Sequence, residues 1–154
     1  SVYIKELEVN DFINLSKDFY SNLKFNFSNK EKFIRVFKFI QTRIARLDEI
    51  PNLLSPFYNT IDIKDSESLA IINNDISKKI FKYWSDNLSE NNIFDEKYIK
   101  QLINDTSEKF NVKGKVIFHP LRIVLFGKPD GPDLYTLVSI LGLTETKIRL
   151  SKFI

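Results

Sequence analysis

No glycine occurs before Gly114, and the chain's four glycines (Gly114, Gly127, Gly131, Gly142) share its last third with Pro120, Pro129 and Pro132. Glycine and proline mark places where the backbone must take a particular path. Here they bracket one loop, Gly127-Lys128-Pro129-Asp130-Gly131-Pro132, between two apolar segments. The rest of the chain has neither an alternating apolar–polar pattern nor an internal repeat. It carries apolar residues at intervals of three and four, the spacing of helices that bury one face.

The first such run is Phe12, Ile13, Leu15, Phe19 and Leu23, with Asn10 or Asp11 as the cap. A second is Phe33, Val36, Phe37, Ile40, Ile44 and Leu47, after Ser28-Asn29-Lys30-Glu31, which has the S-x-x-E form of a capping box. Asp48 opens a shorter helix facing inward with Ile50, Leu53, Leu54 and Phe57, and Pro51 stands in its first turn. Asn59–Ser68 breaks the period and is the expected boundary. Beyond it, Ile76, Ile80, Trp84 and Leu88 define one helix, and Tyr98, Leu102, Ile103 and Phe110 another. Lys113-Gly114-Lys115 reads as a turn. Val116-Ile117-Phe118 has strand propensity, and Pro120 argues against a long uninterrupted helix there. Asp130-Gly131-Pro132 then opens a helix buried through Leu134, Leu137, Val138 and Leu141, with Gly142 at its C-terminal end. Thr144 caps a last helix carrying Ile148, Leu150 and Phe153. The expected fold is all-α, with two packed helical subdomains at 1–62 and 63–154.

With 154 residues, 43% of them hydrophobic and fourteen phenylalanines, the composition is that of a folding chain with a real core. No apolar run approaches the roughly 18 residues that span a bilayer, and no signal-peptide pattern opens the sequence. No membrane partner is therefore expected. The absence of cysteine removes disulfide and thiolate chemistry and fits a reducing, cytoplasmic (or organellar-matrix) setting. A net charge of +3 permits nucleic-acid binding without demanding it. The bias towards Lys, Asn, Ile and Phe has the look of an AT-rich genome, so lysines carry little information. Arginine is scarce (Arg35, Arg43, Arg46, Arg122, Arg149), and each placement tells more.

Catalysis finds no constellation. The single histidine, His119, has no cysteine partner and no H-E-x-x-H spacing for zinc. Gly127-x-x-x-Gly131 lacks the lysine and hydroxyl that end a P-loop. Tyr83-Trp84 among Lys78, Lys79 and Lys82 could be an aromatic and basic RNA platform. The helical spacing of Ile76, Ile80, Trp84 and Leu88 makes core the better reading, with the lysines as its solvated face.

The segment from His119 to Leu150 has the pattern PLR-x-x-L-x-G-x-x-x-GP-x-L, followed by a helical run closing at Leu141-Gly142. Earlier, Arg43 is followed by three residues, Leu47, a variable residue and Glu49. Together these resemble the C-terminal anticodon-binding region of bacterial-type glutamyl-tRNA synthetases. Three departures are visible: Ala45-Arg46 where a small polar residue and threonine are usual, Phe126 for a threonine, and Thr42 for proline or glutamate. The class I catalytic signatures HIGH and KMSKS are absent.

The resemblance implies a non-catalytic anticodon-binding piece of a glutamate–tRNA ligase, monomeric, with an upstream catalytic domain in the same chain and tRNA(Glu) as partner. No metal or cofactor belongs to the piece itself; ATP and Mg2+ belong to the catalytic half. It also implies roles for particular residues. Arg43 would contact the third anticodon base, cytosine in the glutamate tRNA and guanine in the glutamine tRNA. Cytosine's N3 and O2 match the paired donors of a guanidinium, whereas guanine offers N–H donors there. Without a ligand, Arg43 would be a solvated arginine lying along a helix edge. On a continuous helix it borders the Ile40/Ile44 stripe, and Arg46 points away. Arg122 matches a second anticodon-contacting arginine on the other subdomain, or else makes an internal salt bridge. Gly131, Pro132 and Leu134 match positions that pack around the first anticodon base; Tyr135 reads as core or as a stacking ring. A helical protein-interaction module without RNA, and a synthetase that also charges glutamine tRNA, are the competing expectations.

Overall fold

Apolar residues spaced for helix become helix almost throughout the computed structural model of this chain, which describes residues 2–90, 92–131 and 133–154. The described residues form ten α-helices and one 3-10 turn, and no strand occurs among them. The chain divides into two compact units, Ser1–Thr60 and Ile61–Ile154.

The first unit holds α1 (Val2–Glu6), α2 (Val9–Tyr20), α3 (Lys30–Arg43), the 3-10 turn Leu47–Glu49 and α4 (Ile50–Tyr58). Phe12, Val36, Phe37, Ile40, Ile44, Ile50, Leu54 and Phe57 are buried between them. The segment after α2 returns Phe25 and Phe27 onto Tyr20, Phe33 and Tyr58 in edge-to-face and stacked pairs. Each such pair adds about 0.5–1.5 kcal/mol beyond burial. The Tyr58 hydroxyl is buried without a partner, and desolvation pushes its phenol up to about 12.

Several ends differ from the sequence expectation. α2 starts at Val9 after an extended Glu8, so Asn10 and Asp11 lie inside it, and Leu15 is 45% exposed. The cap of α3 is Asn29, whose Oδ1 accepts from the Lys32 N–H at 3.0 Å, and not Ser28. An additional helix, α1, is fastened from the side: the buried Gln41 amide donates to the carbonyls of Ile4 and Leu7 at 2.8 and 2.7 Å. Both carbonyls lie at the C-terminal end of α1, where helical i+4 donors run out, and the Ile4 carbonyl also accepts from the Leu7 N–H at 3.3 Å.

The second unit contains α5 (Ser66–Asn73), α6 (Asp75–Asn87), α7 (Glu96–Phe110), α8 (Lys115–Phe126), α9 (Leu134–Leu141) and α10 (Leu143–Ser151). α5 begins inside the stretch expected as boundary, because Asp65 caps it by accepting from the Ser68 N–H at 2.9 Å. α8 is central, packed by α5, α6, α9 and α10. Ile117, Leu121, Ile123, Val124 and Leu125 are all buried, which accounts for the β-branched, strand-like composition of a helix surrounded by neighbours. The helix runs through Pro120 without interruption. The carbonyl that loses its donor to proline belongs to Val116, a residue 43% exposed, where water can replace it.

Trp84 is fully buried, its indole N–H donating to Thr106 Oγ1 at 2.9 Å, so the core reading of the 76–88 helix holds. α9 starts at Leu134 under an Asp133 cap, later than Asp130-Gly131-Pro132 had implied; Pro132 itself lies outside the described residues. Gly142, at φ 91° and ψ 162°, both ends α9 and precedes α10, leaving Thr144 inside the helix. That start rotates α10 so that Thr146, Arg149 and Leu150 face inward and Ile148 is 46% exposed.

Candidate functional site

α3 stops at Arg43 although neither glycine nor proline follows it. Ile44 turns extended (φ −78°, ψ 139°) and buries its side chain. The next two amides, of Ala45 and Arg46, donate to Glu49 Oε2 at 2.8 and 2.9 Å. One carboxylate thus ties the turn between α3 and α4, and gives a physical task to the glutamate of the Arg43–Leu47–Glu49 pattern. Those two backbone N–H groups hold the Glu49 carboxyl below its usual value. A depressed folded-state pKa contributes stability above the unfolded value and loses it as pH falls through the folded value. Amide exchange at Ala45 and Arg46 is therefore expected to accelerate, relative to the trend of the other amides, as pH drops below the ordinary glutamate value of about 4.3. In Glu49→Gln the same two amides exchange faster at neutral pH, and that pH dependence disappears. Unchanged protection in the variant removes Glu49 from this role.

Arg43 is exposed on the last turn of α3, where a cation complements the helix dipole. Its guanidinium carbon lies over the Phe39 ring, 5.0 Å from the centroid. Phe39 meets the buried Phe57 edge-on at 5.7 Å. Arg46 is not on the helix at all: it is extended, precedes the 3-10 turn, and pairs with Asp48. The two arginines therefore differ in company, one with a ring and one with an acid.

In the other unit, Arg122 projects half-buried from α8 beside the loop that follows it. A Cβ built on Gly131 would lie 3.8 Å from Arg122 Nη1, so Gly131 and the guanidinium are neighbours. Gly131 has φ +148°, a backbone that L side chains rarely adopt. Asp133 closes the loop by accepting from the Tyr135 N–H at 2.9 Å. Leu134 is 1% exposed and part of the core, so it supports the loop from beneath. Arg122, Gly131 and Leu134 thus come together in one unit, while Arg43 belongs to the other.

Tyr135 packs against the core, one of the two readings expected for it, whereas Arg149 was not anticipated. Tyr135 is half-buried, edge-on to Phe118 at 5.9 Å, with Lys100 Nζ 5.4 Å above its ring. Arg149 is 3% exposed; its Nη1 donates to the Leu125 carbonyl at 2.6 Å and its Nε to Glu145 at 3.2 Å, fastening α10 to the end of α8. Desolvation lowers the Arg149 pKa, opposed by Glu145. The only sequence sign was the Glu145–Arg149 spacing of four.

Two of the lysines considered as a platform are engaged: Lys78 donates to the Phe153 carbonyl at 2.9 Å and Lys82 to Asp86 at 2.8 Å. Among the described residues there is no group of three His, Cys, Asp or Glu that could hold a metal, and no helix long and apolar enough to cross a membrane. What the exposed arginines offer is donors for a planar, acceptor-rich ligand.

Comparison with known proteins places these features in a family context. Residues 11–154 match the sequence profile described as "Anticodon binding domain". The glutamate–tRNA ligase of Natranaerobius thermophilus is 30% identical over 149 residues, which cover 92% of this chain and 30% of that protein. That of Mycoplasma mycoides subsp. mycoides is 29% identical over 147 residues, covering 94% and 30%. The crystal structure of a glutamate tRNA ligase from Elizabethkingia meningosepticum in complex with its amino acid superposes with a TM-score of 0.74 at 20% identity. It matches 98% of this chain and 30% of that one. The chain spans about 30% of the length of these relatives.

Proposed function

We propose, given that this chain belongs to the anticodon binding domain family, that it reads the anticodon of a glutamate-accepting tRNA on behalf of a glutamate–tRNA ligase. On this reading the ligase activates glutamate with ATP and Mg2+ in a catalytic domain elsewhere, and this domain, a monomer with no metal or cofactor of its own, supplies recognition only. Arg43 reads the third anticodon base. Arg122 and the 131–134 loop receive the first, with Gly131 allowing close backbone approach and Leu134 holding the loop's shape. The observation that most favours this assignment is the contrast at the end of α3: Arg43 sits over the Phe39 ring, whereas Arg46 pairs with an acid. The charging of glutamine tRNA as well is disfavoured by the donor-only head of Arg43, which matches cytosine and opposes guanine.

Binding to an anticodon stem–loop of glutamate tRNA tests the reading. With a net charge of only +3 and no contacts to the rest of the tRNA, the dissociation constant is expected at roughly micromolar or weaker in low salt. Because binding releases a few counterions, affinity falls steeply as salt rises. Backbone amide shifts are expected to cluster at Arg43, Arg122 and Lys128–Tyr135. Shifts confined to Lys78–Lys82 would mean nonspecific attraction to a basic helix face and would overturn the assignment.

A further inference from the structure

Phe39 and Arg43 are four residues apart on α3, the spacing that brings two side chains onto one helical face. The ring is fixed from behind by its edge-on contact with Phe57, which is itself fully buried. The guanidinium is therefore held against a surface tied to the core of its unit. The two nearest acids after Arg43 in the chain are otherwise occupied, Asp48 by Arg46 and Glu49 by the Ala45 and Arg46 amides. An acidic partner would also have held Arg43 still, but it would have used the donors that a base must use, and binding would have to break that pair. A ring restrains the cation through its face and takes none of the charge-assisted hydrogen bonds that a carboxylate would draw from the N–H donors.

We propose that Phe39 is a positioning residue for base recognition: it holds the Arg43 guanidinium in place before RNA arrives, so that its donors meet the base without a conformational search. This rests on the reading of Arg43 given above. Restricting a long, flexible side chain in advance lowers the cost of ordering it on binding. Because the benefit passes through Arg43, it appears as preference for cytosine over guanine at the third anticodon position and vanishes when Arg43 is absent.

The test uses two anticodon stem–loop RNAs that differ only in that base, with wild type, Phe39→Leu, Phe39→Tyr, Arg43→Gln and the Phe39→Leu/Arg43→Gln double variant. Thermal unfolding is run on each, with Phe39→Met as a second ring-free variant should leucine perturb folding. Phe39→Leu is expected to reduce the cytosine preference roughly two- to fivefold, the range of an exposed cation–π contact. Phe39→Tyr, which keeps the ring, restores it. Phe39→Leu adds nothing in the Arg43→Gln background. In the free protein, the Arg43 Nε–H resonance is expected to leave its ring-shifted position in Phe39→Leu and to keep it in Phe39→Tyr. An equal loss for both RNAs with the preference intact, or a further loss of preference in the double variant, would show that Phe39 acts on the fold alone and would overturn the proposal. If Arg43→Gln itself leaves the preference unchanged, the anticodon reading of Arg43 fails and this inference with it. A failure of Phe39→Leu alone leaves that reading standing.

Discussion

Arg149→Met is expected to cost about 2–3 kcal/mol of folding stability, more than most single substitutions. Methionine keeps the length and apolar stem, so no large cavity opens, and the loss is chiefly that of the guanidinium's bonds. Arg149 donates to the Leu125 carbonyl from a position 3% exposed, and to Glu145. Hydrogen bonds to charged groups contribute roughly 1.5–3 kcal/mol, and a buried acceptor left unpaired keeps its desolvation cost. Breaking a fully buried ion pair costs about 3–5 kcal/mol. The lower figure applies here because the Glu145 side chain is 33% exposed and rehydrates. Urea unfolding is the measurement, with an unchanged m-value as the sign that stability alone has moved. Arg149→Lys retains charge but not the fork, and falls between. A loss below about 0.5 kcal/mol for methionine would place the guanidinium among surface arginines in energetic terms. The effect also bears on function, since Leu125 lies near the end of α8, just before the loop that carries Gly131. Loosening that end is expected to broaden amide resonances from Gly127 to Gly131 before the unit unfolds.

Arg149 was hidden in the sequence because arginine's ordinary place is the surface, and one i, i+4 acid is common on solvated helices. Gln41 was hidden for the same reason: its partners, the carbonyls of Ile4 and Leu7, are close only after folding. By contrast, the stripes at 76–88 and 134–141 were legible, because a helix buried on one face writes its period directly into the chain. α8 was the opposite case. Neighbours on several sides remove the polar face that makes a helix recognisable, and the remaining β-branched run reads as strand until the Pro-Leu-Arg pattern supplies a family context. The end of α3 failed differently. Continuing the apolar period from Ile40 through Ile44 to Leu47 kept the helix going, since Ile44 is indeed buried. What stops it is Glu49, reaching back from beyond the turn to the Ala45 and Arg46 amides. That error also misplaced Arg46, an arginine on the far side of a helix in the sequence reading and an acid-paired residue of an extended turn in the structure.

That correction sharpens the comparison of Arg43→Gln with Arg46→Gln. Glutamine keeps helix propensity and much of the side-chain stem, so Arg43→Gln is expected to change stability by about half a kcal/mol, the size of a lost cation at a helix C-terminus. Its effect on recognition is larger. A guanidinium can only donate, whereas an amide donates and accepts, so guanine becomes tolerable where arginine opposed it. Binding to the cytosine stem–loop is expected to weaken while the preference over guanine narrows about tenfold, the equivalent of roughly 1.4 kcal/mol of discrimination. Arg46→Gln removes an exposed partner of Asp48. Exposed ion pairs contribute about 0–1 kcal/mol, and a residue that meets phosphate or solvent carries no base information. It is therefore expected to lower affinity slightly and equally for both RNAs. Measured side by side, the two variants separate base reading from charge: each removes one positive charge from the same short segment, so a shared electrostatic loss cancels in the ratio. If the cytosine-to-guanine ratio moves by the same factor in both, Arg43 is a surface charge like Arg46, and the third base is read elsewhere.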